Sequence, residues 1–334
     1  MRILSRISFL ALAVLLPALS GCCLVDEDLS DCGGEIVLNY QMCLISNMDS
    51  EIETVLKDDA PAAQALRDHL QGVFSDVAHD LDLSFYSSEE GMPRKIHLQD
   101  VVDASQAQYV VHMPEKEYMN TGIANIQGNG LVIVQDTLFC SEAKLSLEPG
   151  ETVPSQKTGI FTSRLPIKIT DSDSQNFNSS LYMANCATAL VLDTEKAGDI
   201  VKIEILATGF ADRFDIADST YHFNTNYYVK PDEVPVGQQN RLCFVCVTLP
   251  SRDSAPAGTA DGKNFIWEWI VRVTLPDGSV TESVLGVTEP LQAGQLKVIK
   301  AKVFDSGVVS VEDTQIAVSV TLNWNEGGHH EIDL

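Results

Sequence analysis

Residues 265–285, FIWEWIVRVTLPDGSVTESVL, decide the fold. Two runs rich in β-branched and aromatic residues flank Pro276-Asp277-Gly278, so the stretch reads as a β-hairpin closed by a tight turn. Trp267 and Trp269 stand two apart and share one face of the first strand, because strand side chains alternate. Core packing is the first use of that pair, and a strip on which sugar rings stack is the second. Outward from the hairpin the same chemistry repeats. Residues 181–183, 188–192, 200–206, 221–223, 227–229, 242–249, 296–304 and 316–324 read as strands, separated by loops such as 251–262. Short strands with frequent turns and no alternating helices predict a mainly β protein of antiparallel β-sandwiches.

The first half carries the pattern more thinly. Ile36, Leu38, Tyr40 and Met42 alternate in a first strand, and Leu81, Leu83 and Phe85 in another. Residues 95–98, 108–113, 131–134 and 165–169 follow as strands. One helix interrupts them: Asp59 suits the cap, Pro61 the first turn, and Leu66, Leu70, Val73, Phe74 and Val77 form one apolar stripe. The sharpest compositional break is 171–180, DSDSQNFNSS, which places a domain boundary there and predicts domains at 35–170 and 171–334. Asp171 and Asp173 do not make a calcium loop, because Asn176 stands where glycine is needed and Tyr182 where the bidentate Glu belongs.

The first 32 residues have another logic. Arg2 and Arg6 precede an apolar run, 7–19, too short for a membrane span of roughly 20 residues, and Ser20-Gly21 lead into Cys22. That is the layout of a secretory signal peptide over 1–21. The end, Leu19-Ser20-Gly21-Cys22, resembles a bacterial lipobox, which implies that Cys22 becomes an acylated N-terminus. Acyl chains contribute ~0.8 kcal/mol per buried CH₂ and hold a protein on a bilayer without a transmembrane helix. Residues 22–34 then form an acidic tether. Its cluster Asp26, Glu27 and Asp28 resembles signals that send lipoproteins to the cell surface; a solvated linker is the plainer reading.

Cleavage at residue 21 removes two basic and no acidic residues, moving the net charge from −25 to −27. So acidic a surface repels nucleic acid. With Cys22 assigned to lipid, seven of the eight cysteines remain, an odd number that leaves at least one thiol unpaired within the chain. Cys243 and Cys246 have redox or zinc spacing. They sit in a strand, where positions three apart face opposite ways, so core filling is their expected role. No Gly-x-Ser-x-Gly elbow, phosphate loop or His-Glu-x-x-His motif occurs, and His329-His330 read as part of a solvated tail. Neither an enzyme nor a cofactor is expected.

Three pieces together resemble the lipoprotein anchor family of Bacteroides-type fimbriae, the FimB/Mfa-type anchor subunits. The first is the lipobox with the tether Glu27-Asp28-Leu29-Ser30-Asp31-Cys32 running into the first strand. The second is the helix leading into 81–91, then Tyr109-Val110-Val111-His112-Met113-Pro114, with Tyr118 after it. The third is Gly294-Gln295-Leu296-Lys297 running on to Val303, and Val318 to Trp324 with Gly327. Cys23 beside the lipid site and the helical insertion depart from the pattern. The resemblance implies two tandem transthyretin-like sandwiches, an outer-membrane position and fimbrial (fimbrillin) subunits as partners. The last strand is the expected polymer contact, through Ile316, Val318, Val320, Leu322 and Trp324; an ordinary closing strand is the alternative. A surface glycan-binding lipoprotein on the same scaffold is the second functional expectation.

Overall fold

The computed structural model describes residues 34–43, 47–74, 80–87, 95–100, 108–126, 132–135, 140–170, 175–256, 265–311, 316–323 and 329–333. Cys22, the acidic cluster at Asp26, Glu27 and Asp28, and Trp324 lie outside the described residues. The protein is mainly β, with four sheets and two α-helices among the described residues.

A five-stranded central sheet organises the rest. Its middle strand, Cys186–Asp193, lies antiparallel to Arg241–Thr248 and parallel to Leu296–Val303. The run CATALVL is apolar on both faces, as a strand covered on both sides must be, and residues 186–192 are all fully buried. Alternation sorts them. Ala187, Ala189 and Val191 enter one core, whereas Cys186, Leu190 and Leu192 enter a second. Cys243 and Cys246 likewise divide between the two cores, as strand geometry requires of residues three apart.

The second core lies between the central sheet and a seven-stranded outer sheet, ordered from His329–Asp333 through Ile316–Asn323, Val280–Val287, Trp267–Thr274, Lys202–Thr208 and Tyr228–Lys230 to Thr152–Pro154. The expected hairpin is present, Trp267–Thr274 pairing with Val280–Val287 from Trp267↔Val287 to Thr274↔Val280. Asp277 accepts from the Ser279 N–H at 2.9 Å, and Gly278 takes a φ of +83°, which its missing Cβ permits. Trp267 and Trp269 are core residues, 1% and 0% exposed. Their indole N–H groups donate to the Glu289 carbonyl at 2.9 Å and the Thr188 hydroxyl at 3.2 Å. That burial removes the sugar-strip reading.

The first core lies between the central sheet and a seven-stranded first sheet, with both helices in the layer between them. Ala60–Val73 is the expected helix: the Asp59 side chain accepts from the Ala62 N–H, Pro61 sits in the first turn, and Leu66, Leu70 and Val73 are buried. A second helix, Met48–Val55, precedes it. The Asn47 side chain, just before it, bonds both the N–H and the C=O of Leu296, and Glu51 accepts from the Val298 N–H at 3.0 Å. The strand Val309–Val311 pairs with Leu296–Val303 only over Ala301–Val303. Asn47 and Glu51 thus satisfy the stretch of sheet edge that this short strand leaves open, each bond contributing ~0.5–1.5 kcal/mol.

Three expectations need correction. The division at 170/171 is not a division between sheets, because Gln175–Met183 lies in the first sheet beside Gly34–Cys43. A small four-stranded sheet also joins Lys144–Leu147 to Arg213–Asp215, and Thr152–Pro154 edges the outer sheet. The sheets are mixed rather than antiparallel: Gly34–Cys43 with Gln175–Met183, Cys186–Asp193 with Leu296–Val303, and Tyr228–Lys230 with Thr152–Pro154 are parallel. Long crossovers connect the partners, as parallel neighbours require. Finally, the expected polar tail includes a strand, His329–Asp333.

A buried strap ties the halves together. Ser155 and Gln156 bond across to Lys230 and Val247, and Gly159 donates to the Val73 carbonyl at 2.9 Å. Asn185, fully buried, donates to Gln156 at 2.9 Å and to the Thr158 carbonyl at 3.0 Å, and accepts from the Ile160 N–H.

Candidate functional site

The strand expected to meet a polymer is flanked on both sides. Ile316–Asn323 pairs with Val280–Val287 in a register from Ile316↔Val287 to Asn323↔Val280, and with His329–Asp333 from Ser319↔Asp333 to Asn323↔His329. Ile316 and Val318 pack into the second core, and Val320 is buried. The structure therefore puts these three together on one face, turned to the protein's own interior. Beyond it, among the described residues, the outer sheet ends on this side in the five-residue strand His329–Asp333.

An opening lies in the first sheet. Phe161–Lys168 and Gln175–Met183 are neighbours, yet they pair only at Phe161↔Met183 and Thr162↔Tyr182. On its other side Phe161–Lys168 is fully paired, from Ala124↔Phe161 to Glu117↔Lys168. Past Thr162 the two strands splay. Pro166 stands on the diverging strand, where a residue without an N–H is tolerated only if its nitrogen faces no ladder partner. The far end is bridged by a side chain rather than by backbone: Gln175 donates to the Lys168 carbonyl at 3.3 Å and accepts from the Thr170 N–H at 2.8 Å.

The splay forms a cleft of about 650 Å³, with Arg164, Pro166, Asn178, Ser180 and Tyr182 on its strand walls. Phe214 and Tyr221 of the small sheet line it as well, their rings 4.5 Å apart. Arg164 reaches over to donate to the Ala217 carbonyl. Tyr182 is 62% exposed, one of the largest apolar surfaces that the described residues show to solvent. By sequence, part of this segment, 171–180, reads as a polar break at a domain boundary. Its one signal was Tyr182 at an alternate position to the buried Ser179, Leu181 and Met183.

Burial sets the state of three cysteines. Burial pushes the Cys243 thiol up to about 12 and raises Cys186 and Cys246 as well. These sulfurs stay protonated at neutral pH, and the thiolate is the reactive form. Among the described residues, no three or more His, Cys, Asp or Glu side chains cluster in a way that could hold a metal ion.

No protein-family model matches the chain, and no curated protein matches it in sequence. Solved structures do share its fold. A candidate adhesin from Bacteroides thetaiotaomicron superposes with a TM-score of 0.52 at 10% identity, covering 85% of this chain and 97% of the other. A candidate polysaccharide-binding protein from the same organism superposes at 0.50 and 9% identity, covering 90% and 98%. The fimbrial anchor protein Mfa2 from Porphyromonas gingivalis gives 0.47 at 11% identity, covering 87% and 98%. That last likeness falls below 0.5 and carries no weight.

Proposed function

We propose that this chain is an outer-membrane lipoprotein that anchors or helps assemble surface fimbriae by strand-type contacts with fimbrial subunits. Residues 1–21 are its signal peptide and 22–34 its tether. Acyl chains on Cys22 hold it to the membrane, and Asp26, Glu27 and Asp28 form the surface-export signal. No helix among the described residues is long and apolar enough to cross a membrane, and acylation supplies attachment without one. The observation that carries the reading is the cleft between Phe161–Lys168 and Gln175–Met183. Splayed strands present backbone N–H and C=O groups outside any ladder, the chemistry by which an added strand docks. This cleft and the sheet edge at His329–Asp333 are the assigned contacts, in place of the flanked Ile316–Asn323. The shared fold with a candidate adhesin supports a role in surface adhesion. Deleting the gene and imaging the cells tests the reading: fimbriae should detach or fail to assemble, and normal cell-attached fimbriae would overturn it. Cys22→Ala should move the protein out of the membrane fraction, and a variant still in the outer membrane would remove the lipid anchor.

A further inference from the structure

The two walls of the cleft between Phe161–Lys168 and Gln175–Met183 differ in what their backbones offer. At the closed end the Ala184 N–H donates to the Ile160 carbonyl at 2.7 Å. Along a strand, the backbone groups of alternate residues point the same way. Arg164, Pro166 and Lys168 on one wall therefore direct theirs into the opening, as do Asn176, Asn178 and Ser180 on the other. The Lys168 carbonyl keeps to this rule, since it accepts from the Gln175 side chain across the gap. Pro166 has no N–H to give, so the fuller rail is the one at Asn176, Asn178 and Ser180. The opening runs from the ladder at Thr162↔Tyr182 to the Gln175 bridge, room for about five residues at ~3.3 Å each.

The floor decides the side chains. Leu181, Met183, Ser163 and Ser179 are all buried beneath the opening. A Cβ on Gly122 would stand 3.5 Å from Leu181 Cδ2 and 2.6 Å from Ser163 Oγ. Gly122 pairs with Ser163 from the far side of Phe161–Lys168. Leu181 thus reaches across under that strand and closes the slot from below. A strand lying in the slot can turn only small residues inward, because a large apolar one finds no hole to fill. Ser163 also lines the cleft, and its buried hydroxyl has no hydrogen-bond partner, which favours serine among the small residues. Outward, Arg164, Asn178 and Ser180 suit polar side chains.

We propose that the cleft accepts one extended segment of a fimbrial subunit, antiparallel to Gln175–Met183, with glycine, alanine or serine at its inward alternate positions. Antiparallel pairing to the fuller rail is the stabler choice per residue. The proposal rests on the strand contact proposed above and names the segment that makes it. The test is hydrogen exchange of the full chain, alone and bound to the fimbrial subunit recovered from native membranes. The Arg164, Asn178 and Ser180 amides should exchange about tenfold or more slowly in the complex. The subunit's own newly protected segment should carry small residues at one set of alternate positions. Ser180→Pro deletes an N–H that has no ladder partner among the described residues. Its thermal midpoint should stay unchanged, while recovery of the subunit falls about tenfold or more, the scale of one lost backbone bond and its orphaned partner. Asn178→Pro is the second variant, with the same expected loss. A bound subunit that leaves those amides unprotected would overturn the segment while the wider reading stands on another contact. Large apolar residues at both sets of alternate positions, or full recovery with both proline variants, would overturn it as well. Failure to recover any subunit with the unaltered chain would overturn both readings.

Discussion

In the central sheet, Cys186–Asp193 keeps register over eight residues with its antiparallel neighbour and over seven with its parallel one. In the first sheet, Gln175–Met183 keeps register over eight residues with its parallel neighbour but over only two with its antiparallel one. The sequences carry the difference. CATALVLD is apolar at consecutive positions because both faces are covered. QNFNSSLYM places Asn, Ser and the exposed Tyr182 along a strand that opens on a cleft. The same parallel arrangement thus gives a closed structural centre in one place and an accessible slot in the other.

The comparison breaks most directly at the closed end. Trp269→Ala should cost ~3–5 kcal/mol and Leu66→Ala ~2–5 kcal/mol, the usual losses for large buried side chains. The two residues lie on opposite sides of the central sheet. Urea unfolding should nonetheless show one transition shifted by either substitution, and two separable transitions would mean that the halves fold apart. Asn185→Ala comes next, at ~1–3 kcal/mol, since it orphans the buried Ile160 N–H; its check is the same denaturation curve.

A smaller effect is pH-dependent. Burial is the main cause lowering the His69 pKa below 6.5, with Asp232 opposing and Lys157 assisting. The unfolded chain therefore takes up this proton first as the pH falls. His69 contributes stability fully above pH 6.5 and loses it as the pH drops through 6.5 toward the folded value. Stability measured at pH 7.5 and 5.5 should differ less in His69→Gln. Tyr182→Ala should change stability least, within about 0.5 kcal/mol, as substitutions at exposed sites usually do. Under the proposed function it should still reduce the fimbrial subunits co-purifying from native membranes, and undiminished recovery would close the cleft as a contact.

What the sequence disclosed follows from where each element gets its stability. The helix Ala60–Val73 and the hairpin at Asp277-Gly278 are specified locally, by a cap, an apolar stripe and turn residues, and were legible. Met48–Val55 was not: it buries only Ile52 fully, lacks a side-chain cap bond and is held by bonds to a strand almost 250 residues away. Alternation shows which face of a strand is buried but not whether its neighbour runs parallel, so the crossovers were hidden. The cleft was hidden because a polar strand beside an opening has the composition of a turn-rich domain boundary. The strand His329–Asp333 is as polar, and only its pairing partner reveals it.

Gly34–Cys43 lies inside the first sheet, parallel to one neighbour over eight residues and antiparallel to another over six. Tension arriving from residue 33 pulls along that strand, so the bonds on both flanks resist together in shear and do not peel off singly. For a body tethered at that end and loaded from its far side, this is the strong direction, and rupture force should fall sharply if the pull is redirected across the strand.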